Sequence, residues 1–193
     1  MLAEAGARVA ITHTARSAAP AAALAAGLPG KGHLALPADV VDTPSLLALR
    51  DSLEAQWGAA LHILVNTAGF TKAVPHADLD ALDDDLIDRM FAVNWRGQFA
   101  VIRTFAPMLK ESGDGLIVSI SSIAGQNGNG SSIAYCATKA GIDVMTKSLA
   151  RALAPAVRVL AVAPGAVDTQ FVPGRGAEFN TKAAATTPLR PWC

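Results

Sequence analysis

The chain has 193 residues, of which 51 % are hydrophobic and 17 % are charged, and its 16 basic residues balance its 16 acidic ones. This composition excludes an intrinsically disordered chain, and the absence of a basic stripe argues against nucleic acid and membrane surfaces as partners. The length fits a single domain, 1–193, and no apolar run is long enough to span a bilayer. Two cysteines, Cys136 and Cys193, cannot build a disulfide framework, so we expect a reducing compartment, the cytoplasm.

Short apolar runs alternate along the chain with longer helical patterns. Thr43 followed by Pro44 indicates a helix start, an N-cap hydroxyl and then the residue suited to the first helical position. The apolar runs indicate strands buried on both faces, and the alternation predicts an α/β fold, a doubly wound parallel sheet with helices on both faces. The predicted strands are 7–12, 33–37, 61–66, 115–121 and 157–163, and the predicted helices are 18–26, 44–57, 79–110 and 133–153.

Small or polar residues follow four of these runs. Asp39 follows the second, residues 66–69 (Asn-Thr-Ala-Gly) end the third, Ser121 and Ser122 end the fourth, and residues 164–165 (Pro-Gly) end the fifth. Each has an ordinary interpretation as a turn or cap residue. Their joint position at the carboxyl edge of one parallel sheet predicts a ligand site there.

Tyr135 and Lys139 stand four residues apart in a helical pattern, so both side chains lie on one face about a turn apart. A phenol has an unperturbed pKa of about 10, and a nearby ammonium would lower that pKa toward neutral pH. Tyr135 could then act as a general acid or base. The alternative is a packed tyrosine beside an exposed lysine.

Five motifs in order make the chain recognisable: 66–69 (NTAG), Asn94 within VNWRGQF, Ser122 of SISS, 135–139 (YCATK) and 162–169 (VAPGAVDT). From about Leu2 to Pro191 the chain resembles the short-chain dehydrogenase/reductase family. Within it, the chain is similar to bacterial 3-oxoacyl-[acyl-carrier-protein] reductases and related carbonyl reductases. The resemblance implies a Rossmann-like fold and hydride transfer between a nicotinamide and a small-molecule carbonyl or alcohol.

The resemblance implies four catalytic residues. Tyr135 exchanges a proton with the substrate oxygen, Lys139 lowers the pKa of the tyrosine and holds the nicotinamide ribose, and Ser122 hydrogen-bonds the carbonyl. Asn94 completes a proton relay through water. For Asn94 the alternative is a polar residue within a helix whose side chain is satisfied by backbone groups.

The resemblance also assigns the cofactor contacts. They fall on Asp39 and Val40 for the adenine, Asn66, Ala68 and Gly69 for the adenosine side, Tyr135 and Lys139 beside the nicotinamide ribose, and Pro164, Gly165, Val167 and Thr169 for the nicotinamide and diphosphate.

His13 occupies the position at which NAD-preferring relatives carry an aspartate, and Arg16 follows closely, which favours NADP over NAD. Both could instead be solvated loop residues. The loop 170–187 should cover the substrate, and its Phe171, Phe179 and Arg175 suggest an apolar compound with one anionic group.

The chain departs from the family at both ends. It has no Thr-Gly-x-x-x-Gly-x-Gly turn, and the glycines at 27, 30 and 32 and at 125, 128 and 130 have the wrong spacing and context, so we interpret them as loop glycines. The family's first strand and last strand are missing. We therefore expect the strands at 7–12 and 33–37 to lose their link to the other three strands.

Two hypotheses follow. The chain is either a fragment of an ordinary reductase or a non-catalytic relic that at most associates with full-length relatives. An in-frame glycine-rich turn within about thirty codons upstream, the size of one strand–helix–strand unit, would decide for the first. For the intact protein, the resemblance implies a homodimer or tetramer packed through the helices at 79–110 and 133–153.

Overall fold

The structure is a computed structural model that describes residues 1–167, 169, 171–174, 181 and 185. It divides into two compact units, Met1–Ala59 and Ala60–Cys193. The described strands of each unit form a separate parallel sheet, which confirms the predicted loss of the link between the first two strands and the other three. The assignment of 1–193 to one domain stays a prediction.

The first unit contains two short strands, each followed by a helix. In chain order these elements are β1 (Ala10–His13), a 3-10 turn (Ala15–Ser17), α1 (Ala18–Gly27), β2 (Leu34–Pro37) and α2 (Thr43–Trp57). β1 and β2 are parallel, with His13 opposite Pro37, so both strands end at the same edge. The buried apolar side chains of the two helices are Ala21, Ala25, Leu46, Leu49 and Leu53.

The start of α2 differs from the prediction by one residue. Asp42 is the N-cap, and its carboxylate accepts a hydrogen bond of 3.2 Å from the N–H of Ser45. Thr43 is therefore the first helical residue and Pro44 the second. The sequence Asp-Thr-Pro offers two capping side chains, and the carboxylate, which also favours the positive end of the helix dipole, takes the position.

The second unit contains a three-stranded parallel sheet of order β3–β4–β5, and its register places Asn66 opposite Ser119 and Ile120 opposite Val162. Its elements are β3 (Ile63–Asn66), α3 (Asp84–Phe91), a π-helical segment (Ala92–Gly97), α4 (Gln98–Glu111), β4 (Gly115–Ile120), α5 (Ala124–Asn127), α6 (Ile133–Leu153) and β5 (Val157–Val162).

The single helix predicted over 79–110 is wrong at its start and its middle. Residues 79–83 are turns, because Asp83 caps α3 by accepting a hydrogen bond of 2.8 Å from the N–H of Leu86. Within the helical run, residues 92–97 widen to a π-helix. Such segments are rare and occur often at functional sites.

The strands of the second sheet are buried on one face, which corrects the prediction of strands buried on both faces. On one face of the second sheet Ile117, Ser119 and Val159 are buried, and α4 and α6 pack against this sheet. On the opposite face Val65 and Leu160 are 43 % and 53 % exposed. Among the described helices, none is long and apolar enough to cross a bilayer.

Candidate active site

Tyr135 and Lys139 lie on the first turns of α6, on a buried face of that helix. Ser132 caps the helix by accepting a hydrogen bond of 3.2 Å from the N–H of Tyr135. Tyr135 is 9 % exposed and Lys139 is 4 % exposed. The helical spacing therefore placed both residues correctly, and the interpretation of Lys139 as an exposed lysine is wrong.

Lys139 carries its ammonium to the end of β4. Its Nζ donates a hydrogen bond of 2.6 Å to the carbonyl of Ile120 and lies 5.6 Å from the centre of the Tyr135 ring. Burial lowers the pKa of Lys139 to about 8, and the carboxylate of Asp143 opposes that shift. At neutral pH this places a desolvated cation beside the phenol.

The two serines that end β4 have different partners. Ser121 is buried and its Oγ donates to the carbonyl of Lys139 at 3.2 Å, which ties the strand end to α6. Ser122 is partly buried, and its Oγ accepts from the N–H of Ala124 at 3.2 Å. That bond uses a lone pair and leaves the hydroxyl hydrogen of Ser122 to donate.

Asn94 lies in the π-helical segment and is fully buried. Its Oδ1 accepts from the N–H of Phe70 at 2.9 Å, and its Nδ2 donates to the carbonyl of Phe70 at 2.9 Å and to Oγ1 of Thr138 at 3.3 Å. Thr138 in turn donates to the carbonyl of Tyr135 at 2.9 Å. The side chain of Asn94 therefore joins the 66–69 turn to α6, as the alternative of satisfaction by backbone groups anticipated.

The 66–69 turn presents mainly backbone and small side chains. Asn66 is 4 % exposed, and its Nδ2 is a buried atom with no hydrogen-bond partner among the described residues. The residue lies on the face of the sheet that α4 covers. Ala68 receives a hydrogen bond of 3.4 Å from Gln98 at its carbonyl. A Cβ on Gly69 would stand 3.3 Å from Oδ1 of Asn94, so the turn lies close against that amide.

Two glycines that the sequence analysis interpreted as loop residues support α6. A Cβ on Gly125 would stand 2.6 Å from the backbone nitrogen of Ala140, and one on Gly130 would stand 2.8 Å from Sγ of Cys136 and 3.1 Å from Cδ1 of Tyr135. Neither contact has a signal in the local sequence pattern. Both glycines permit a close approach to the helix that carries Tyr135 and Lys139.

An open recess of about 530 Å³ is lined by residues 73–76 and 129–131. Gly130 forms part of its wall and adjoins the Tyr135 ring. Three hydrogen bonds join its two sides: Val74 N to Ser131 O at 2.8 Å, Thr71 Oγ1 with Ser131 Oγ at 2.5 Å, and His76 Nε2 with Gly130 O at 3.1 Å.

Phe171 is the member of the predicted substrate loop that the structure places near the site. Its ring centre is 6.1 Å from that of Tyr135, and its side chain is 42 % exposed. Arg175 and Phe179 lie outside the described residues.

The residues predicted after β5 lie at the carboxyl edge of the second sheet. The carbonyl of Pro164 accepts from the N–H of Ile123 at 3.1 Å, and the nearest atom to a Cβ on Gly165 would be Cδ1 of Ile123 at 3.7 Å. Val167 is 48 % exposed, and Thr169 is exposed and accepts at its Oγ1 from the N–H of Phe171 at 3.4 Å.

The remaining predicted cofactor residues lie in the first unit, at the carboxyl ends of β1 and β2. Arg16 is exposed in the 3-10 turn after β1, and Nδ1 of His13 lies 3.1 Å from the carbonyl of Thr14. Asp39 is exposed, and its Oδ1 accepts from the N–H of Val41 at 3.0 Å. Val40 between them is partly buried.

Three comparisons with known proteins identify the family of this chain. The short chain dehydrogenase profile matches residues 1–178. The protein named "Granaticin polyketide synthase putative ketoacyl reductase 2" from Streptomyces violaceoruber is 38 % identical over 193 residues, covering 98 % of this chain and 75 % of that protein. Cis-4-hydroxycyclohexanecarboxylate dehydrogenase from Sinomonas cyclohexanicum is 37 % identical over 192 residues, with coverages of 98 % and 75 %.

A solved structure agrees with these relatives. Gluconate 5-dehydrogenase from Burkholderia cenocepacia J2315, in complex with NADP and tartrate, matches at a TM-score of 0.84 and 28 % identity, covering 100 % of this chain and 75 % of that one. The chain belongs to the short-chain dehydrogenase family, whose members are NAD(P)-dependent oxidoreductases. The predicted Rossmann-like fold is confirmed, and the chain spans about three quarters of the length of these relatives.

Residues at the carboxyl edge of the second sheet fit part of a nicotinamide cofactor. Lys139 offers an ammonium at the strand end, and Gly69 and Gly165 keep the neighbouring turns free of side chains. Residues 1–193 contain no Thr-Gly-x-x-x-Gly-x-Gly run that would bind a diphosphate through its backbone N–H groups. The fit therefore concerns the nicotinamide and ribose side.

Proposed function

We propose that this chain carries the catalytic side of an NAD(P)-dependent oxidoreductase that interconverts a small-molecule carbonyl and its alcohol. The observation that supports it most strongly is the desolvated ammonium of Lys139, 5.6 Å from the Tyr135 ring. A cation at that distance favours the phenolate and so makes the phenol a better proton donor near neutral pH.

In the reduction direction Tyr135 donates its proton to the substrate oxygen while the carbonyl carbon is reduced. Ser122 donates a hydrogen bond to the same oxygen and stabilises the charge that develops on it. Lys139 holds the ribose and keeps the phenolate stable after proton transfer. A bound nicotinamide supplies the hydride.

Asn94 has a positioning part in this proposal. Phe70 and Thr138 use both amide hydrogens of Asn94, and its Oδ1 keeps one lone pair for the water of the proposed proton relay. The side chain keeps the 66–69 turn in place against α6. The other proposed cofactor contacts are made chiefly by backbone atoms and small side chains. They belong to Asn66, Ala68, Gly69, Pro164, Gly165, Val167 and Thr169.

The test of the catalytic assignment is Tyr135→Phe in the protein expressed from its complete coding sequence. Only the hydroxyl is removed, so we expect most of the carbonyl-reduction rate to disappear while NADPH affinity is retained. Lys139→Ala should lower both the rate and the affinity, because one ammonium has two roles. Lys110→Ala, at an exposed lysine of α4, is the control. A near-normal kcat for Tyr135→Phe would overturn the assignment.

The cofactor of this proposal is NADP, with Asp39 and Val40 at the adenine and Arg16 at the 2′-phosphate. The exposed guanidinium of Arg16 can form a charge-assisted contact with that phosphate. An aspartate in place of His13 would repel the phosphate. We expect kcat/KM to favour NADPH over NADH by about tenfold or more, equivalent to about 1.4 kcal/mol. Arg16→Ala should remove that preference, and Arg50→Ala, whose guanidinium pairs with Asp51, should leave it. Equal values for the two cofactors in the unmodified protein would contradict the proposal.

The open recess at residues 73–76 and 129–131 is the proposed substrate side, and its lining of Ala73, Val74 and Pro75 suits an apolar compound. Phe171 adds an aromatic ring next to Tyr135. The anionic group that the sequence analysis suggested depends on Arg175, outside the described residues.

The proposed assembly is a homodimer or tetramer in the cytoplasm. Phe91, Trp95 and Phe99 recur every four residues and are 37 %, 36 % and 36 % exposed, with the last two rings stacked at 6.2 Å. Such an aromatic stripe is typical of a protein interface. The alternative function, a non-catalytic relic that pairs with full-length relatives, would use the same stripe. Calorimetry of NADPH binding to the protein expressed from its complete coding sequence separates the two, because the relic would bind none.

A further inference from the structure

Three buried polar atoms of the second unit have no hydrogen-bond partner among the described residues. They are Nδ2 of Asn66, Oε1 of Gln98 and Oγ of Ser119, and their side chains are 4 %, 1 % and 1 % exposed. Buried polar groups in folded proteins are nearly always paired with protein atoms or with ordered water. Three unpaired groups on one part of a small sheet therefore require an explanation.

The register of the strands and the packing of α4 place the three side chains at one end of the sheet. Asn66 and Ser119 are opposite each other on β3 and β4, so they point to the same face from neighbouring strands, which lie about 4.8 Å apart. Gln98 is the first residue of α4, which packs on both of these strands. Its Nε2 reaches the carbonyl of Ala68, two residues beyond Asn66, at 3.4 Å, so its Oε1 lies at the same strand end.

The hydrogen-bonding capacities of the three atoms complement a single water molecule. The amide Nδ2 of Asn66 donates, Oε1 of Gln98 accepts, and the hydroxyl of Ser119 can do either. A water needs two to four polar partners at a buried site, and this set offers three. A metal cation would face the NH2 group of Asn66, and an anion would face Oε1 of Gln98, so neither ion fits.

We propose that Asn66, Gln98 and Ser119 bind one internal water molecule that joins β3, β4 and α4 beneath the 66–69 turn. The water accepts from Asn66, donates to Gln98 and exchanges a hydrogen bond with Ser119. It thereby fixes the start of the turn whose other end Asn94 holds. Asn66 belongs to both proposals, but the water site uses its buried side-chain amide and does not depend on the proposed reaction.

The sign of one stability change tests the site. Ser119→Ala removes a ligand of the water, so the equilibrium constant for unfolding in urea should rise about fivefold to tenfold. If instead the hydroxyl of Ser119 has no partner, its removal relieves a desolvation cost and the constant should fall or stay constant. Ser148→Ala, at an exposed serine of α6, is the matched control and should change the constant little.

A crystal structure of the unmodified chain decides the question even if Ser119→Ala fails to fold. We expect a solvent peak within about 3.3 Å of all three atoms, the outer range of an ordinary hydrogen bond. Direct hydrogen bonds among the three side chains, with no solvent peak between them, would overturn the proposal.

Discussion

Lys139 shows how a residue predicted from spacing acquires its chemistry from burial. The four-residue interval from Tyr135 indicated that the two share a helix face, but an exposed lysine has the same interval. What distinguishes the two cases is tertiary: Lys139 is 4 % exposed and donates to a carbonyl at the end of β4, 19 residues earlier in the chain. A local pattern does not contain that partner.

The same limit applies to Asn94 and Thr138. The sequence marked Asn94 by resemblance, but its partners lie 24 and 44 residues away, and Thr138 received no assignment. The hydrogen bonds from Phe70 through Asn94 to Thr138 are fixed by how α6 meets the π-helical segment. Only the packed structure shows them.

The first prediction concerns the pH dependence of stability at Lys139. Its pKa of about 8 lies below the ordinary lysine value of 10.5, so the folded protein disfavours the ammonium. Below pH 8 the buried ammonium lowers the free energy of unfolding. Between about pH 8 and about pH 10.5 the unfolded chain binds more protons than the folded one, so the free energy of unfolding rises with pH. Lys139→Met lacks this group. The free energy of unfolding of the unmodified chain should therefore rise relative to that of Lys139→Met across this window.

Urea denaturation at about pH 7 and about pH 10 measures the effect, which amounts to at most one proton taken up on unfolding. The phenol of Tyr135 lies beside Lys139 and does not cancel, so both proteins are compared with Tyr135→Phe in place. The remaining groups that titrate in this range are common to both proteins and cancel. Lys147→Met, at an exposed lysine of α6, should show no such difference from the unmodified chain. Parallel pH curves for Lys139→Met and the unmodified chain would contradict the shift.

At the scale of elements, the sequence predicted which segments are strands and helices better than where they begin. β4 and α6 start at the predicted residues, Gly115 and Ile133. The starts of α2 and α3 were misplaced, because Asp42 and Asp83 provide the caps. The π-helical segment was not predicted, because apolar residues at three- and four-residue spacing were interpreted as one regular α-helix.

Packing of α5 on α6 gives the second prediction. A Cβ on Gly125 would meet the backbone at Lys139 and Ala140, at 2.7 Å and 2.6 Å. Backbone cannot rotate away as a side chain can, so Gly125→Ala should lower the free energy of unfolding by about 1–3 kcal/mol. Thermal and urea denaturation measure this loss.

Gly27 in α1 provides the matched control, because a Cβ there meets nothing within 4 Å. Gly27→Ala should be neutral or slightly stabilising, as alanine is the better helix former. Equal effects at the two glycines would show that the approach of α5 to α6 is looser than the structure indicates.

At the scale of the whole molecule, the uncovered face of the second sheet is the main departure from the predicted burial. Ile63, Val65, Leu160 and Val162 are 38 %, 43 %, 53 % and 50 % exposed, and the register of the strands places them on one face. Apolar runs in a parallel sheet predict cover on both sides, and no local sequence feature indicates that the described helices of this unit cover only one face. A contiguous apolar face of this kind is a site of association.

The last prediction follows from that face. Leu160→Lys places a charge on this face, on the outer strand β5, without disturbing the buried side of that strand. We therefore expect weaker fluorescence of a bound apolar dye such as ANS and less aggregation on concentration. Leu24→Lys on α1 is the matched control: Leu24 is 58 % exposed, about as much as Leu160, but belongs to a different unit and a helix surface. It should change both measurements little. If the prediction holds, Leu160→Lys reduces dye binding and aggregation more than Leu24→Lys does. Equal reductions would mean that added charge alone lowers both, and that the exposed sheet face is not the surface through which the chain associates.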